Sequence, residues 1–328
     1  MIGAIDNDLE MSPDEFKMIR DFILERSGIY FAENKMYLVK NRLAKRMAEL
    51  QIKTVRDYFY HVKYDTSLTE FNRLMDLVTT NETSFFRNEP QLLSFSEEVL
   101  PLLVSQKMSE RGTKSLRIWS AGCSTGEEPY TLAILIYERL KSLLGWNVEI
   151  IANDISEEVL QKARLGEYNG ITLRAVSLDI LNRYFTKTGE SYRVKPEIQS
   201  IVKFSHMNLN DPRKLTLVSG MDVVFCRNVM IYFSDDVKKQ LVRGFYNALR
   251  PGGYFYIGHS ETLHGISKAF KLVYFKNALV YQKEASPAGG QGTESTSSAT
   301  RLAAANAATS ANRALDLLSK IKPMTVSK

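Results

Sequence analysis

The sequence predicts an α/β protein, a doubly wound and mostly parallel sheet preceded by an all-helical module. Strand-like and helix-like segments alternate from Leu116 onward, whereas residues 1–80 carry helical periodicity alone. Where the two regimes meet, the stretch Arg117–Tyr130, RIWSAGCSTGEEPY, runs from an apolar strand through a turn with Gly122 and Gly126 into a helix. Glycines at such a turn let the backbone approach a ligand closely, and the N–H groups of the helix start add a positive field. The expectation is a nucleotide-type cofactor at the carboxyl edge of a parallel sheet.

The helical module opens with Ser12-Pro13-Asp14-Glu15: an N-cap, a proline at the first helical position and a capping-box glutamate. Phe16, Ile19 and Ile23 follow at helical spacing, and Ser27-Gly28 ends the run. A second helix from about Asn34 to Leu50 puts Met36, Val39, Leu43, Met47 and Leu50 on one face. A third is expected between Thr54 and Tyr64. A fourth is expected to start at Ser67, with Glu70 completing another capping box and Phe71, Leu74 and Val78 facing inward. Residues 81–115 then form a linking unit: the polar segment NETSFFRNE, a helix from about Pro90 to Gln106, and a loop.

The α/β unit spans 116–283. It reads as strand Leu116–Trp119, helix Glu127–Leu144 with Thr125 and Glu128 as its capping box, strand Val148–Ala152 and helix Glu157–Leu165. Asp222–Cys226 is a continuous apolar run suited to a buried parallel strand. The helix Asp235–Leu249 stops at Pro251-Gly252-Gly253, Tyr254–Ile257 is a strand, and Leu272–Phe275 with Leu279–Gln282 forms a closing hairpin. Between these, Arg183–Thr186, Ser191–Val194 and Ile201–Phe204 are expected as short strands of an antiparallel insert on the main sheet, at about 183–205. Residues 284–328 are a tail: 284–312 reads as a flexible linker, and at Ala314–Ile321 a short amphipathic helix competes with disorder.

Composition narrows the class. An apolar share of 44% is enough for packed cores, and there is neither a secretory signal nor an apolar run of membrane-spanning length. Two cysteines, Cys123 and Cys226, argue against a disulfide framework and for a reducing compartment, so a cytoplasmic monomer is expected. A formal charge of +6 permits a nucleic-acid partner without arguing for one.

The glycine turn is neither G-x-G-x-x-G nor a P-loop, so by itself it does not select a cofactor. Asp154, after the second strand, either accepts hydrogen bonds from ribose hydroxyls or caps the next helix; Ser156 is the better cap, which favours the ribose. The run Phe225–Phe233, FCRNVMIYF, begins as a buried strand and leaves Arg227, Asn228 and Tyr232 at its carboxyl end, where ligands of open α/β sheets bind. Cys123 and Cys226 end neighbouring central strands and are expected as buried, reduced thiols rather than a redox switch.

Taken in order, NETSFFRNE, WSAGCSTGEEPY, ANDIS, FCRNVMIYF and GGYFYIGHSE resemble the CheR family of chemoreceptor glutamate O-methyltransferases, over about Ser12 to Lys283. The resemblance implies a class I S-adenosylmethionine-dependent methyltransferase, Rossmann-like in fold, with S-adenosyl-L-methionine as donor and S-adenosyl-L-homocysteine as product. The implied acceptor is a glutamate on the cytoplasmic methylation helices of a membrane chemoreceptor, with no nucleic acid and no membrane insertion. Carried over by motif, donor contacts fall on Asn81, Thr83, Arg87, Gly122, Glu128, Asp154, Asn208, Leu209, Arg227 and Asn228, and the catalytic positions are Arg87 and Tyr232. A glutamate with an ordinary pKa of about 4.3 is ionised at neutral pH, so no general base and no metal are required. The enzyme must align carboxylate and sulfonium and exclude water.

The second helix carries Lys35, Lys40, Arg42, Lys45 and Arg46 with no acidic residue between the first and the last. Such a run is usually a solvated face; the resemblance points to docking of an acidic receptor helix on Lys40, Arg42, Lys45 and Arg46. Some family members carry a longer glycine-containing loop that captures a tethering peptide at the receptor C-terminus. Here Thr186–Arg193, TKTGESYR, has a single glycine and is short, so strong binding of such a peptide is not expected. The competing readings are a nucleic-acid methyltransferase and a non-catalytic S-adenosylmethionine-binding scaffold.

Overall fold

Each of the first four helices forms because a cap or an apolar stripe dictates it. The structure is a computed structural model that describes residues 9–109, 114–140 and 145–285; the expected tail elements and residues 141–144 of the expected helix lie outside these. In α1 (Pro13–Ser27) the Ser12 side chain accepts from the Glu15 N–H and Glu15 accepts from the Ser12 N–H, and Gly28 at φ 76° ends the helix. Helix α2 (Met36–Glu49) buries Val39, Leu43 and Met47, the centre of the expected stripe. Helix α3 (Val55–Tyr64) is capped by Thr54.

Helix α4 (Thr69–Val78) departs from expectation. It starts after Leu68, at φ 60°, without a side-chain cap. Glu70 is not a capping residue. The residue is 4% exposed, and its carboxylate accepts from the Arg46 guanidinium at 2.6 and 3.0 Å and from the Tyr58 hydroxyl at 3.0 Å. Charge-assisted bonds out of water outcompete an exposed capping bond worth about 1 kcal/mol. Replacing Glu70 by alanine leaves the buried Tyr58 hydroxyl without its acceptor and Arg46 with only the exposed Glu49, and is expected to cost about 3 kcal/mol. Urea unfolding measures this; a loss under about 1 kcal/mol would show that the cluster contributes little.

Helices α5 (Glu89–Leu93) and α6 (Leu100–Ser109) are joined by a π-helical turn, Ser94–Val99, so the linking helix runs further than Gln106. In chain order the rest is β1 (Ser115–Ala121), α7 (Glu127–Leu140), β2 (Asn147–Asp154), α8 (Glu157–Leu165), β3 (Glu167–Tyr168), α9 (Leu178–Tyr184), β4 (Phe185–Thr188) and β5 (Ser191–Val194). There follow α10 (Pro196–Gln199), β6 (Val202–His206), α11 (Pro212–Leu215), β7 (Met221–Cys226), α12 (Asp235–Ala248), β8 (Leu249–Ile257), β9 (Phe270–Tyr274) and β10 (Leu279–Lys283).

The main sheet has the order β6-β2-β1-β7-β8-β10-β9. Its strands are parallel from β6 to β8, and β10 runs antiparallel to both β8 and β9. This is the doubly wound sheet with an antiparallel end that the sequence predicts, and the winding reverses between β1 and β7. The two-residue alternation of strands assigns the faces. Leu116, Ile118, Val223, Phe225, Tyr254 and Tyr256 pack toward the linking helix and α7. Trp119, Ala121, Val224, Cys226, Phe255 and Ile257 share one core with α12 and the helical module.

The insert differs from expectation. Residues 202–204 of the expected Ile201–Phe204 strand belong to β6, which pairs with β2 at the edge of the main sheet, and Arg183 lies in helix α9. The insert is a separate sheet of order β3-β5-β4, with Glu167-Tyr168 as its third strand. Pro251-Gly252-Gly253 does not follow α12 as a loop but lies inside β8, opposite a register shift between Met221 and Val223.

Candidate active site

The reversal between β1 and β7 leaves a crevice at the carboxyl ends of the strands. A cavity of about 220 Å³ occupies it, lined by the turn after β1, the ends of β2 and β7, the 79–87 segment and residues 27–31 of the helical module.

The turn after β1 is held by backbone. The Gly122 and Cys123 N–H groups both donate to the Asn153 carbonyl, at 2.8 and 2.9 Å, and Trp119 donates from its indole to the Asn153 side chain at 2.7 Å. Gly122 stands at φ 77°, and a Cβ there would lie 2.4 Å from Cγ2 of Val229. The absence of a side chain is what lets the β7 loop close over this turn.

Glu128 is not a capping residue either. Thr125 donates to Glu127 at 2.6 Å, while Glu128 accepts from the Ser120 hydroxyl at 2.7 Å and from Arg227 Nη1 at 3.2 Å. A buried guanidinium across the crevice holds it more strongly than a helix end does. Arg227, 8% exposed, also donates from Nη2 to the Arg87 carbonyl at 2.6 Å, and its Nε is buried without a partner. Burial pulls its pKa down, and Glu128 opposes this.

Asp154 accepts from the Ser124 and Ser156 N–H groups at 2.8 and 3.0 Å. Burial raises its pKa, against those two bonds. Ser156, not Asp154, caps α8.

Phe85, wholly buried against Tyr168 and Phe185, anchors the linking segment. Phe86 follows at φ 54°, which turns the chain so that Arg87 stays exposed and donates to the Glu82 carbonyl at 2.9 Å. Asn81 accepts at its carbonyl from the Ser124 hydroxyl at 3.0 Å. Asn208 donates to the Arg26 carbonyl at 2.7 Å, and Leu209 beside it is buried. Asn228 sits at φ 61°. Tyr232, 36% exposed, stands at the mouth.

The cavity thus brings together Asn81, Thr83, Arg87, Gly122, Glu128, Asp154, Asn208, Leu209, Arg227, Asn228 and Tyr232. It does not include the basic run of α2. There Arg42 donates to the Val78 and Thr79 carbonyls at 2.6 and 3.2 Å, and Arg46 is paired with Glu70 and Glu49. Lys45 is exposed and Lys40 half-buried. Cys123 and Cys226 are free and buried, and burial pushes both thiols up, which keeps them protonated.

Two contributors escaped the sequence reading. Glu261 clamps the β7 loop, accepting from the N–H groups of Asn228, Gly258 and Ile231 at 2.9, 2.6 and 3.1 Å; it is the last residue of the GGYFYIGHSE motif, which was the available signal. Ser27, Ile29 and Phe31 also line the cavity. They arrive through an isolated bridge between Ile29 and Phe233, for which no local pattern exists.

A donor with ribose hydroxyls and a zwitterionic amino-acid end fits these residues: a buried carboxylate at the end of β2, a side-chain-free turn, and an Arg227–Glu128 pair with an unpartnered Nε. The comparisons agree. Residues 81–279 match the family model "CheR methyltransferase, SAM binding domain" and residues 14–79 match "CheR methyltransferase, all-alpha domain". The chain is 35% identical over 278 residues to Chemotaxis protein methyltransferase 2 of Vibrio cholerae, covering 84% of this chain and 95% of that one. It is 36% identical over 274 residues to Chemotaxis protein methyltransferase 1 of Pseudomonas aeruginosa (82% and 97% covered). With the Chemotaxis protein methyltransferase of Salmonella typhimurium it shares 35% over 269 residues (80% and 89% covered). Matched in both its helical and its α/β parts, the chain belongs to the CheR family of S-adenosylmethionine-dependent methyltransferases.

Proposed function

We propose that this enzyme methylates glutamate side-chain carboxylates on the cytoplasmic helices of a chemoreceptor, forming methyl esters for adaptation. The observation that carries the reading is the crevice itself, which gathers Arg87, Glu128, Asp154, Arg227 and Tyr232 between the helical module and the sheet and, among the described residues, is lined by no histidine or lysine that could activate a neutral nucleophile. S-adenosylmethionine supplies a methyl group on a sulfonium centre. Asp154 accepts from its ribose hydroxyls, and the Arg227–Glu128 pair receives its amino-acid end. Arg87 holds a carboxylate by charge-assisted hydrogen bonds, and Tyr232 orients the acceptor. The acceptor is already ionised, so these residues serve alignment and exclusion of water rather than proton transfer. Lys40 and Lys45 then steer an acidic helix, while Arg42 and Arg46 act mainly within the module.

Incubating the protein with labelled donor and receptor-bearing membranes tests this. Base-labile label released as methanol is the expected result, and base-stable label on RNA would refute it. We further propose independence from a receptor C-terminal tether. Strands β4 and β5 are joined through Gly189-Glu190 alone, with Gly189 at φ 62°, so the hairpin lacks the longer loop of some relatives. Calorimetric titration with such a peptide is expected to give no heat at micromolar concentrations; tight binding would overturn this.

A further inference from the structure

Tyr30 has no role in the motifs, yet it lies between two residues that line the cavity and is bonded to a third. Its N–H donates to the Tyr232 carbonyl at 2.9 Å, and the Ile29–Phe233 bridge fixes it there. Its neighbours Ile29 and Phe31 point into the cavity lining, while Tyr30 itself is 47% exposed. Ile231 and Tyr232 beside it are 51% and 36% exposed. The Arg20 guanidinium lies over the Tyr30 ring, 5.7 Å from its centroid, and Arg20 is held in turn by Asp21. An aromatic ring supported from behind and bared to solvent is a rigid contact of low conformational cost. Large apolar side chains grouped next to a catalytic opening mark a surface that something covers.

We propose that Tyr30 is an acceptor-positioning residue: with Ile231 and Tyr232 it forms a platform on which the backbone flank of the methyl-accepting helix rests, so that its glutamate enters the cavity. This rests on the reading above of a glutamate-bearing acceptor. The occupant is the acceptor, because the platform is continuous with the cavity rim and is contributed by both the helical module and the β7 loop. Donor and platform are separate contacts, so the two substrates will respond differently to its loss.

Steady-state methylation of receptor membranes by Tyr30→Ala is expected to raise the receptor KM about tenfold while leaving the donor Kd unchanged. Tyr30→Phe, which keeps the ring, is expected to restore the receptor KM. An unchanged receptor KM in Tyr30→Ala overturns the proposal. So does a parallel loss of donor binding, which would make Tyr30 a support of the fold. Wild-type protein that forms no base-labile esters refutes the acceptor assignment itself, a result distinct from either.

Discussion

Arg227→Met is expected to weaken donor binding by at least a hundredfold and to reduce methyl transfer further, in a chain that still folds. From the end of β7, Arg227 reaches both walls of the crevice: Glu128 after β1 and the Arg87 carbonyl of the linking segment. Methionine fills similar volume but donates nothing. Glu128 then keeps only the Ser120 hydroxyl, and the segment that presents Arg87 loses its hold on β7. Breaking a buried pair from one side costs about 3–5 kcal/mol, part of it in stability and part in the site. A hundredfold loss of affinity corresponds to about 2.7 kcal/mol, so most of that cost is expected in the site and the rest in stability. Arg227→Lys is expected to fall between, since one ammonium does not reproduce the two-pronged reach of a guanidinium. Calorimetric titration with donor, beside circular dichroism of the variant, checks this; a Kd within threefold of the parent would refute it.

Gly122→Ala should be the second large effect, and its cause is steric. The added Cβ would meet Val229 at 2.4 Å while the backbone stays at φ 77°. The strain of a left-handed alanine alone is about 1–2 kcal/mol. The clash pushes on the loop that carries Asn228 and Tyr232, so donor affinity is expected to drop more than tenfold. Gly145 separates the two terms: it has the same φ of 77°, but among the described residues nothing lies within 4 Å of an added Cβ. Gly145→Ala should therefore lower stability by about 1 kcal/mol and leave donor binding unchanged. Equal donor affinity in the two variants would show that the turn is not a close-packed cradle.

Where a local rule and a tertiary contact agree, the sequence is sufficient. Ser12 with Glu15 caps α1, and Glu157–Leu165 is the helix α8 that its pattern describes. Where a polar side chain has two possible partners, sequence reasoning takes the near one. Glu70 and Glu128 both stand three residues beyond a hydroxyl and both suggest capping boxes. Each turns instead to an arginine far along the chain, because a bond to a buried charge is worth more than one at a wet helix end. Short strands fail for a related reason. Val202–His206 and Ser191–Val194 look alike in sequence, but only the former finds the open edge of β2.

The basic run on α2 shows the limit from the other side. Its residues are legible as a stripe, yet the Val78 and Thr79 carbonyls and Glu70 decide which cations remain for a partner. The sequence by itself determined the α/β class, the helical module, the glycine turn and the family motifs, because periodicity, glycine placement and buried strand runs are local properties. Only the tertiary structure decided that residues 27–31 complete the cavity, that Glu261 clamps the β7 loop, and that Tyr30 reaches the rim beside Tyr232. Each depends on a backbone pairing or a carboxylate acting across distant segments, where spacing along the chain carries no information.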